Sequence, residues 1–301
     1  MALDSDGRLW VGTYEGGIFI RELDGAWTQH LNDPDDPMSL PDNRIIGSGI
    51  AVDPRTDGGM WVIFDNEGLA HWDGESWDVG EYSLNLPSNL LWTAFTDPET
   101  GDLWVGSEGG VTRFDGLTWG VFGAKDGLLS PVTYAIAKDA DGGYWLGGRS
   151  GLSHYLPEGT PPWIKVVGIN DQRQVNGPMS ASVYANENVL IDFDAGDLQT
   201  PRDKLKILYR QTDGTSTSAW REISPGYLQL VFTEAGDYVL EFLVRDQSFN
   251  YSRVEAQPLV VLPPPPTVMI PLLGESNKIS FRRWSFSACL RLAAPAMSVW
   301  R

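Results

Sequence analysis

Cysteine, basic side chains and long apolar runs are all scarce in this chain. Cys289 is the single cysteine among 301 residues, which excludes an internal disulfide and any metal site built from several cysteines. Only 22 basic side chains oppose 40 acidic ones, and the formal net charge of −18 would repel nucleic acid and anionic membranes. No apolar run reaches the roughly 18 residues of a membrane helix, and no signal peptide is visible at the N-terminus. We therefore expect no nucleic-acid partner, and membrane attachment only through segments absent from this chain.

Glycine, proline and tryptophan are abundant instead, with 33, 20 and 13 copies. This mixture is typical of many short strands separated by tight turns, and it predicts an all-β protein. The hydrophobic content of 42% and the charged content of 21% are those of an ordinary folded protein.

One short motif recurs four times in the first half of the chain. Each copy has an acidic turn, a strand centred on tryptophan and a second turn that contains glycine. The four tryptophans are Trp10, Trp61, Trp104 and Trp145, which are 51, 43 and 41 residues apart. A strand-dense period of about 40–50 residues is typical of propeller blades. Because neighbouring blades would cover both faces of these strands, we expect the four tryptophans to be buried.

These repeats predict an incomplete β-propeller over residues 1–157, with about three and a half four-stranded blades. The strands of a blade are labelled A to D, from the innermost to the outermost. In the third repeat they are predicted at Leu91–Thr96, 102–107, 111–114 and Trp119–Phe122. The first copy is expected to lack strand A and the last to lack strand D. Since an open array exposes adhesive faces, we expect the chain to be the downstream part of a longer protein and to self-associate.

The repeats resemble the two-component regulator propeller repeat. They share its Asp-x-x-Gly turn, its Leu-Trp-Val-Gly-Thr strand at residues 9–13, and its Leu-Pro-x-Asn linker at residues 40–43 and 86–89. Repeat two departs from the strand motif at residues 62–64, and repeat three departs from the linker at residues 128–131. The resemblance implies the sensor region of a membrane-bound regulator, either a histidine kinase or a related protein.

A different strand pattern occupies residues 158–262. Seven short apolar or alternating segments, separated by turns such as Asp213-Gly214, predict an immunoglobulin-like β-sandwich. The order of Tyr209-Arg210, Trp220 and Gly236-Asp237-Tyr238 also resembles the triple-tyrosine domain, which follows the propeller in membrane-bound sensors. The resemblance implies that this domain relays the signal and supports a homodimer in the parent protein.

Residues 263–301 are predicted to be a proline spacer and an unstructured or non-native tail. Four consecutive prolines open the segment, and the charge then changes sign, from −22 over residues 1–262 to +4 over residues 275–301. Two interpretations of the basic end remain open. It is either a non-native or frame-shifted sequence without function, or a juxtamembrane segment attracted to anionic lipid.

Signatures of catalysis are missing from the sequence. It contains no nucleophile elbow, no phosphate-binding glycine loop and no zinc motif, and its acidic turns lack the ligand series of an EF-hand. His71 and His154 occupy the same strand C position of repeats two and four, with Arg113 in repeat three, so repetition explains their recurrence. We expect no enzymatic activity in this chain, no metal site and no cofactor.

Strand connectivity predicts where a ligand would bind. In a four-stranded meander the B–C turns and the D–A links emerge at one end, and the A–B and C–D turns emerge at the other. The first end collects aromatic rings, amides, carboxylates and guanidinium groups, which suit a sugar or another polar small molecule. The candidate ligand-binding residues are Tyr14, Glu15, Asn43, Arg44, Glu67, Asn89, Trp92, Glu108, Tyr134 and Arg149.

The leading hypothesis is the ligand-sensing, periplasmic or extracellular region of a bacterial two-component-type signal transduction protein. It would bind a small molecule or glycan and relay the signal through the sandwich to a membrane segment outside this chain. Two alternatives remain open. One is an extracellular propeller lyase or glycosidase, which needs two inward carboxylates at catalytic separation, and the other is a protein-interaction scaffold.

Overall fold

The chain folds as an all-β protein in two compact units. A computed structural model describes residues 1–36, 38–65, 67–78, 80–170, 172–173, 181–265, 268–273 and 279–284. The first unit is Met1–Glu158 and the second is Gly159–Arg301. The boundary predicted from the repeat pattern lies one residue earlier, after residue 157.

The strands of the first unit form four antiparallel meanders, called sheets 1 to 4 along the chain. Sheet 1 contains β1 (Ala2–Leu3), β2 (Leu9–Gly12), β3 (Ile18–Arg21) and β4 (Trp27–His30). Sheet 2 contains β5 (Ile45–Asp53), β6 (Gly59–Phe64), β7 (Gly68–Trp72) and β8 (Trp77–Asp78). Sheet 3 contains β9 (Leu91–Thr96), β10 (Leu103–Ser107), β11 (Gly110–Phe114) and β12 (Trp119–Phe122). A parallel bridge between β5 and β9 joins the meanders of sheets 2 and 3 into one eight-stranded sheet. Sheet 4 contains β13 (Thr133–Lys138), β14 (Tyr144–Gly148) and β15 (Gly151–Tyr155).

Each meander pairs strands that are neighbours in sequence, as a propeller blade does. The four strands predicted for the third repeat coincide with β9 to β12 to within one residue. The prediction that the first repeat lacks strand A is wrong, because Ala2 and Leu3 pair with Trp10 and Leu9. A two-residue strand is too short to show the alternation of apolar and polar residues from which a strand is predicted.

The turn between strands B and C shows why a glycine follows each of the strands that contain a repeating tryptophan. In sheet 3 this turn places Gly110 at a φ of 136°, in the region that side chains disfavour. A Cβ atom at this position would also collide with the carbonyl oxygen of Phe122 on strand D. Glycine is therefore required there by both backbone conformation and space.

Neighbouring sheets of the first unit pack through alternate side chains of strand B. In sheet 2, Val62 shares an apolar core with Trp10 of sheet 1. Trp61 and Ile63, on the other side of the same sheet, share a core with Leu103 of sheet 3. Because side chains alternate across a strand, both sides of the sheet are buried.

Three of the four repeating tryptophans are buried, as predicted, and the fourth is not. Trp10 and Trp104 are fully buried and Trp61 is 3% exposed, whereas Trp145 is 39% exposed. The neighbour of Trp145 on strand β14, Tyr144, points toward sheet 3, where its ring lies 4.2 Å from that of Trp104. Trp145 therefore points to the outer side of sheet 4, which no further sheet of the described first unit covers.

The second unit contains two sheets around one apolar core. Its strands are β16 (Trp163–Ile169), β17 (Gln172–Arg173), β18 (Ala181–Tyr184), β19 (Asn188–Gly196), β20 (Lys206–Thr212), β21 (Arg221–Ile223), β22 (Tyr227–Val231), β23 (Gly236–Arg245) and β24 (Glu255–Leu262). One sheet has the order β17-β16-β19-β22 and the other β18-β24-β23-β20-β21. Val166 and Phe193 from the first sheet and Phe242 from the second meet in the core. All seven predicted strands are present, whereas β17 and β18 were not predicted.

Helical structure in the described residues is limited to short 3-10 turns at Glu81–Asn85, Ala124–Asp126 and Arg202–Lys204. None of the described helices has the length and apolar character needed to cross a membrane. Within the segment predicted to be unstructured, β25 (Val268–Leu273) and β26 (Ile279–Trp284) pair as an antiparallel hairpin. The prediction of a non-native end falls mainly on residues 285–301, which lie outside the described residues.

Candidate functional site

The B–C turns and the D–A links lie at the same end of the first unit, as the meander topology predicts. Main-chain hydrogen bonds join them. The amide of Gly17, in the first B–C turn, donates to Asn43 in the following link at 2.9 Å. The amide of Glu108, in the third B–C turn, donates to the carbonyl of Leu90 at 3.0 Å. Turns and links of neighbouring repeats thus form one surface, which we call the B–C end.

Four of the predicted residues come together at the B–C end of sheets 3 and 4. The ring of Trp92 on β9 lies 5.3 Å from that of Tyr134 on β13, at an angle of 73°. Arg149, which follows β14, donates through Nη2 to the Tyr134 hydroxyl at 3.5 Å. This hydrogen bond, with the negative charge of Glu108 nearby, raises the pKa of Arg149. These four residues are called the aromatic–arginine cluster.

The backbone of Trp92 is held tightly, whereas the side chains of Tyr134 and Arg149 are exposed. A parallel bridge between Ser48 and Thr93 joins the innermost strands of sheets 2 and 3 next to it. Gly47, at a φ of 54°, approaches so closely that a Cβ there would collide with the Trp92 carbonyl oxygen. Tyr134 is 40% exposed. The buried indole nitrogen of Trp92 has no hydrogen-bond partner among the described residues.

The chemistry of the aromatic–arginine cluster suits a polar ligand with an apolar face. The Arg149 guanidinium can make two parallel hydrogen bonds to a carboxylate or to adjacent hydroxyls. The Tyr134 and Trp92 rings offer apolar surface with a polar edge. Glu108 adds one carboxylate acceptor. Binding and orientation of a small molecule are therefore within the reach of these side chains.

Arg44 and Tyr14 belong to a second group, at the B–C end of sheets 1 and 2. Arg44 pairs with Asp42 at 3.0 Å and with Asp65 at 3.2 Å. The hydrogen bond with Asp42 is the main cause of the raised pKa of Arg44, and Tyr14 adds a smaller electrostatic contribution. Because two carboxylates already hold this guanidinium, Arg44 is less available to a ligand than Arg149. The sequence did not single out Asp42 or Asp65, although Asp42 lies within the linker motif.

The other four predicted residues stay apart from the aromatic–arginine cluster. Asn43 orders its own link, since its side-chain oxygen accepts the amide of Asn32 at 2.7 Å. Glu15, Glu67 and Asn89 are exposed at the B–C end. Among the described residues, no hydrogen bond or ring contact connects these three with the cluster.

The opposite end of the first unit carries buried carboxylates whose role sequence reasoning missed. Each A–B turn begins with an aspartate that bonds to a strand side chain. In sheets 1, 2 and 4 the aspartate bonds to a side chain of its own sheet. These pairs are Asp4 with Trp10 at 2.8 Å, Asp53 with His71 at 2.9 Å and Asp139 with His154 at 2.8 Å. Arg113 of sheet 3 instead pairs with Asp102, through Nε at 2.8 Å. The recurring histidine or arginine position on strand C thus anchors an acidic turn, and the recurrence of Asp-x-x-Gly was the available signal.

Asp97, the corresponding aspartate of sheet 3, ties two sheets together. Its fully buried carboxylate accepts hydrogen bonds from Lys138 of sheet 4 at 3.0 Å and from the hydroxyl of Tyr144. Burial opposes ionisation of Asp97, but these donors and the backbone amide of Glu99 outweigh it and lower its pKa. Burial together with the Asp97 hydrogen bond raises the pKa of Tyr144.

Acidification is expected to destabilise the first unit. Burial disfavours the charge of Asp53, yet hydrogen bonds from His71, Arg55 and Thr56 lower its pKa below the ordinary 3.8. A lowered pKa in the folded state contributes stability above the unfolded value, and this contribution disappears as pH falls through the folded value. Urea titrations of the chain from about pH 7 to about pH 3 should show a falling midpoint. The variant Asp53→Asn should be less stable near neutrality and should lose part of this slope, and an unchanged slope would contradict the assignment.

An apolar recess of about 430 Å³ lies between the innermost strands of sheets 2 and 3, toward the A–B turns. Ile50, Val52 and Phe95 contribute to its lining. None of the ten predicted ligand residues lines it. The lining of the recess is mostly apolar, whereas the aromatic–arginine cluster combines aromatic rings with charged groups.

Successive antiparallel meanders, followed by a unit of two sheets around one core, define an all-β repeat protein. Residues 1–15 match the family model of the two-component regulator propeller. The match contains the first acidic turn and the strand motif on which the sequence resemblance rests. No curated protein matches the chain.

Solved structures with similarity to the chain include extracellular domains from B. thetaiotaomicron. The domain of BT3049, described as a hybrid two-component system, is 17% identical, with a TM-score of 0.44, and the match covers 87% of this chain and 38% of that one. The domain of BT4673, described as a one-component system, is 18% identical, with a TM-score of 0.39 and coverage of 87% and 43%. The chain thus spans less than half the length of these structures, and TM-scores of this size do not establish a common fold.

Proposed function

We propose that this chain is the ligand-sensing, extracytoplasmic region of a two-component-type regulator, and that a small molecule or glycan binds at the aromatic–arginine cluster. The observation that carries the proposal is the convergence of Trp92, Tyr134, Arg149 and Glu108 from two sheets. These side chains lie on turns and strand ends, where they can contact a ligand without disturbing the cores between the sheets.

The regulator class is supported by the fourfold repeat and by the family match at residues 1–15. In this proposal the four sheets are propeller blades, the last of them incomplete. The region lies in the periplasm or outside the cell, and its parent protein is anchored in the membrane through segments outside this chain.

The second unit is proposed to be the immunoglobulin-like, triple-tyrosine domain that relays the signal and forms the homodimer of the parent protein. Contacts among the motif residues support this assignment. Tyr209 is buried in the core, and Tyr238 packs against it. The guanidinium of Arg210 lies over the ring of Trp220 at 4.6 Å and pairs with Glu241 at 2.6 Å.

The alternative functions make different demands on the same site. A glycosidase needs two carboxylates across the scissile bond, whereas the aromatic–arginine cluster contains one, Glu108, whose negative charge contributes to the raised pKa of Arg149. A lyase or glycosidase would convert the ligand, and a scaffold would bind a protein instead of a small molecule. Incubation of the chain with its ligand, followed by product analysis, separates the first alternative from sensing.

Substitution of the cluster should weaken ligand binding. A panel of oligosaccharides, screened by thermal shift with the full chain, supplies the probe for calorimetry. Trp92→Ala is expected to weaken its binding by about 1–3 kcal/mol, the usual effect of losing an aromatic anchor, and Arg149→Ala should weaken it as well. Asp73→Ala, at a C–D turn, and Phe95→Ala, in the apolar recess, are the matched controls. Normal affinity in the cluster variants with reduced affinity in Phe95→Ala would move the site to the recess.

A further inference from the structure

We propose that an enlarged β-bulge in the innermost strand of sheet 2, residues 46–49, forms a third wall of the ligand site at the aromatic–arginine cluster. This wall makes the site selective for oligosaccharides over single sugars. The inference rests on the proposed function, because it assigns a class of ligand to the same site. Residues 46–49 are called the sheet 2 bulge, and its exposed members are Gly47 and Ser48.

Both aromatic residues of the cluster are themselves bulged residues. In sheet 3 the register of β9 with β10 skips Trp92. In sheet 4 the register of β13 with β14 skips Tyr134 in the same way. Bulges change the direction of a side chain, and they are over-represented next to functional sites. The repeated bulge therefore places an aromatic residue at the same point of two successive repeats.

Sheet 2 has a bulge at the same point of the ladder, but a longer one. The pairs that flank it are Ile45 with Phe64 and Ile50 with Val62. Four residues, 46–49, therefore lie between pairs that enclose only two residues of strand A in sheets 3 and 4. The sheet 2 bulge contains no aromatic residue. In place of a ring, this repeat has a longer segment with two glycines and a serine.

Glycines fix the sheet 2 bulge beside the cluster. Gly47 has a φ of 54°, and a Cβ there would collide with the carbonyl oxygen of Trp92. A Cβ at Gly49 would collide with the backbone of the bulge itself. Ser48 forms the parallel bridge to Thr93, the residue after Trp92. The bulge is thus held against the strand that carries Trp92, while the Ser48 side chain stays exposed.

The three walls lie on the innermost strands of three successive repeats. The bridge of Ser48 joins β5 to β9, and the ring of Trp92 on β9 lies 5.3 Å from that of Tyr134 on β13. Two strand-to-strand steps span at least about 10 Å at the usual spacing of neighbouring strands. This distance exceeds one sugar ring, so a ligand that contacts all three walls has at least two linked units. One unit packs on the rings beside Arg149, and the next reaches the Ser48 hydroxyl, which can donate and accept hydrogen bonds.

Calorimetry of the full chain with sugars of increasing length tests the third wall. The probes are glucose, xylose and galacturonic acid, each with its linear oligomers of two to four units. The chain should bind the trimer of a recognised sugar about tenfold more tightly than the single sugar, as expected for one or two added hydrogen bonds. Ser48→Ala should reduce this preference about fivefold. Deletion of residues 47–48, which shortens the bulge to the length found in sheets 3 and 4, should abolish it.

Two further variants separate the third wall from the rest of the site. Ser182→Ala, which removes an exposed serine hydroxyl from β18 of the second unit, is the matched control and should keep the full length preference. Trp92→Ala should weaken binding of the single sugar and of the trimer alike, because both contact the rings. Urea titrations establish that each variant is folded, and Ser48→Ala carries the test if the deletion variant does not fold.

The third wall and the proposed function fail in different ways. A length preference that survives the changes in the sheet 2 bulge, or that the unaltered chain lacks, overturns the third wall. The proposed function then stands, provided that Trp92→Ala weakens binding. If Trp92→Ala binds every sugar normally, or the unaltered chain binds none of them, the proposed function fails and the third wall fails with it.

Discussion

Trp104→Ala is expected to destabilise the first unit by about 3–5 kcal/mol, the usual cost of deleting a large buried aromatic side chain. Trp104 is fully buried between sheets 3 and 4. Its ring lies 4.2 Å from that of Tyr144 and 5.7 Å from that of Phe122, and the Arg113 guanidinium lies over it at 5.2 Å. The substitution leaves a cavity between sheets 3 and 4. We expect the paired strands on both sides to keep this cavity from closing.

Trp145→Ala is the matched control, because the same residue type stands at the equivalent strand position with one face exposed. Trp145→Ala should lower the free energy of unfolding by less than half as much as Trp104→Ala, when measured at a concentration where the chain is monomeric. Both values come from urea titrations of the full chain in which unfolding is detected by hydrogen exchange in peptides from residues 91–122. Equal losses would contradict the packing difference between the two sites.

Asp97→Ala is expected to destabilise the first unit by about 3 kcal/mol, because removing one partner of a buried ion pair leaves the other uncompensated. Lys138 would retain only Glu99, whose carboxylate is 77% exposed, as its ionic partner among the described residues. The buried hydroxyl of Tyr144 would lose its acceptor. Asp139→Ala, which removes a more exposed aspartate from the equivalent turn, should be less damaging.

A double-mutant cycle tests whether the effect passes through the ion pair. Asp97→Ala combined with Lys138→Met removes both charges and should restore part of the lost stability. Unfolding of the four variants in urea gives the coupling free energy. Additive losses would show that Asp97 acts on its own turn and not on the junction between sheets 3 and 4.

Local sequence decided the strands and turns of the repeats. The ends of β9 and β12 were predicted to the residue, because β-branched and aromatic residues between glycine turns specify a short strand with little help from the rest of the chain. The same signal was too weak for the two-residue strand Ala2–Leu3, which forms because Leu9 and Trp10 offer it a partner. Strand β18 pairs in parallel with β24, and a pairing across so many residues leaves no local pattern.

The candidate site could be placed only in part. Connectivity alone put Trp92, Tyr134, Glu108 and Arg149 at one end, because the direction of each strand fixes where its turn emerges. That Arg149 bonds to Tyr134, whereas Arg44 is held by Asp42 and Asp65, depends on distances between separate repeats.

Repetition by itself determined that this chain builds a row of similar antiparallel sheets, since each copy carries the turn and strand residues for its own meander. Only the tertiary structure decided in which copies of a motif the tryptophan is buried and the aspartate is paired with a neighbouring sheet. Trp104 and Trp145 have the same local sequence role, but sheet 4 covers the first and no described sheet of the first unit covers the second. Asp97 and Asp139 likewise begin the same kind of turn, and only Asp97 finds Lys138 and Tyr144 on a neighbouring sheet. The burial and the ion pairing of a side chain depend on the residues that pack against it. Those residues are distant in sequence, so the local motif does not determine them.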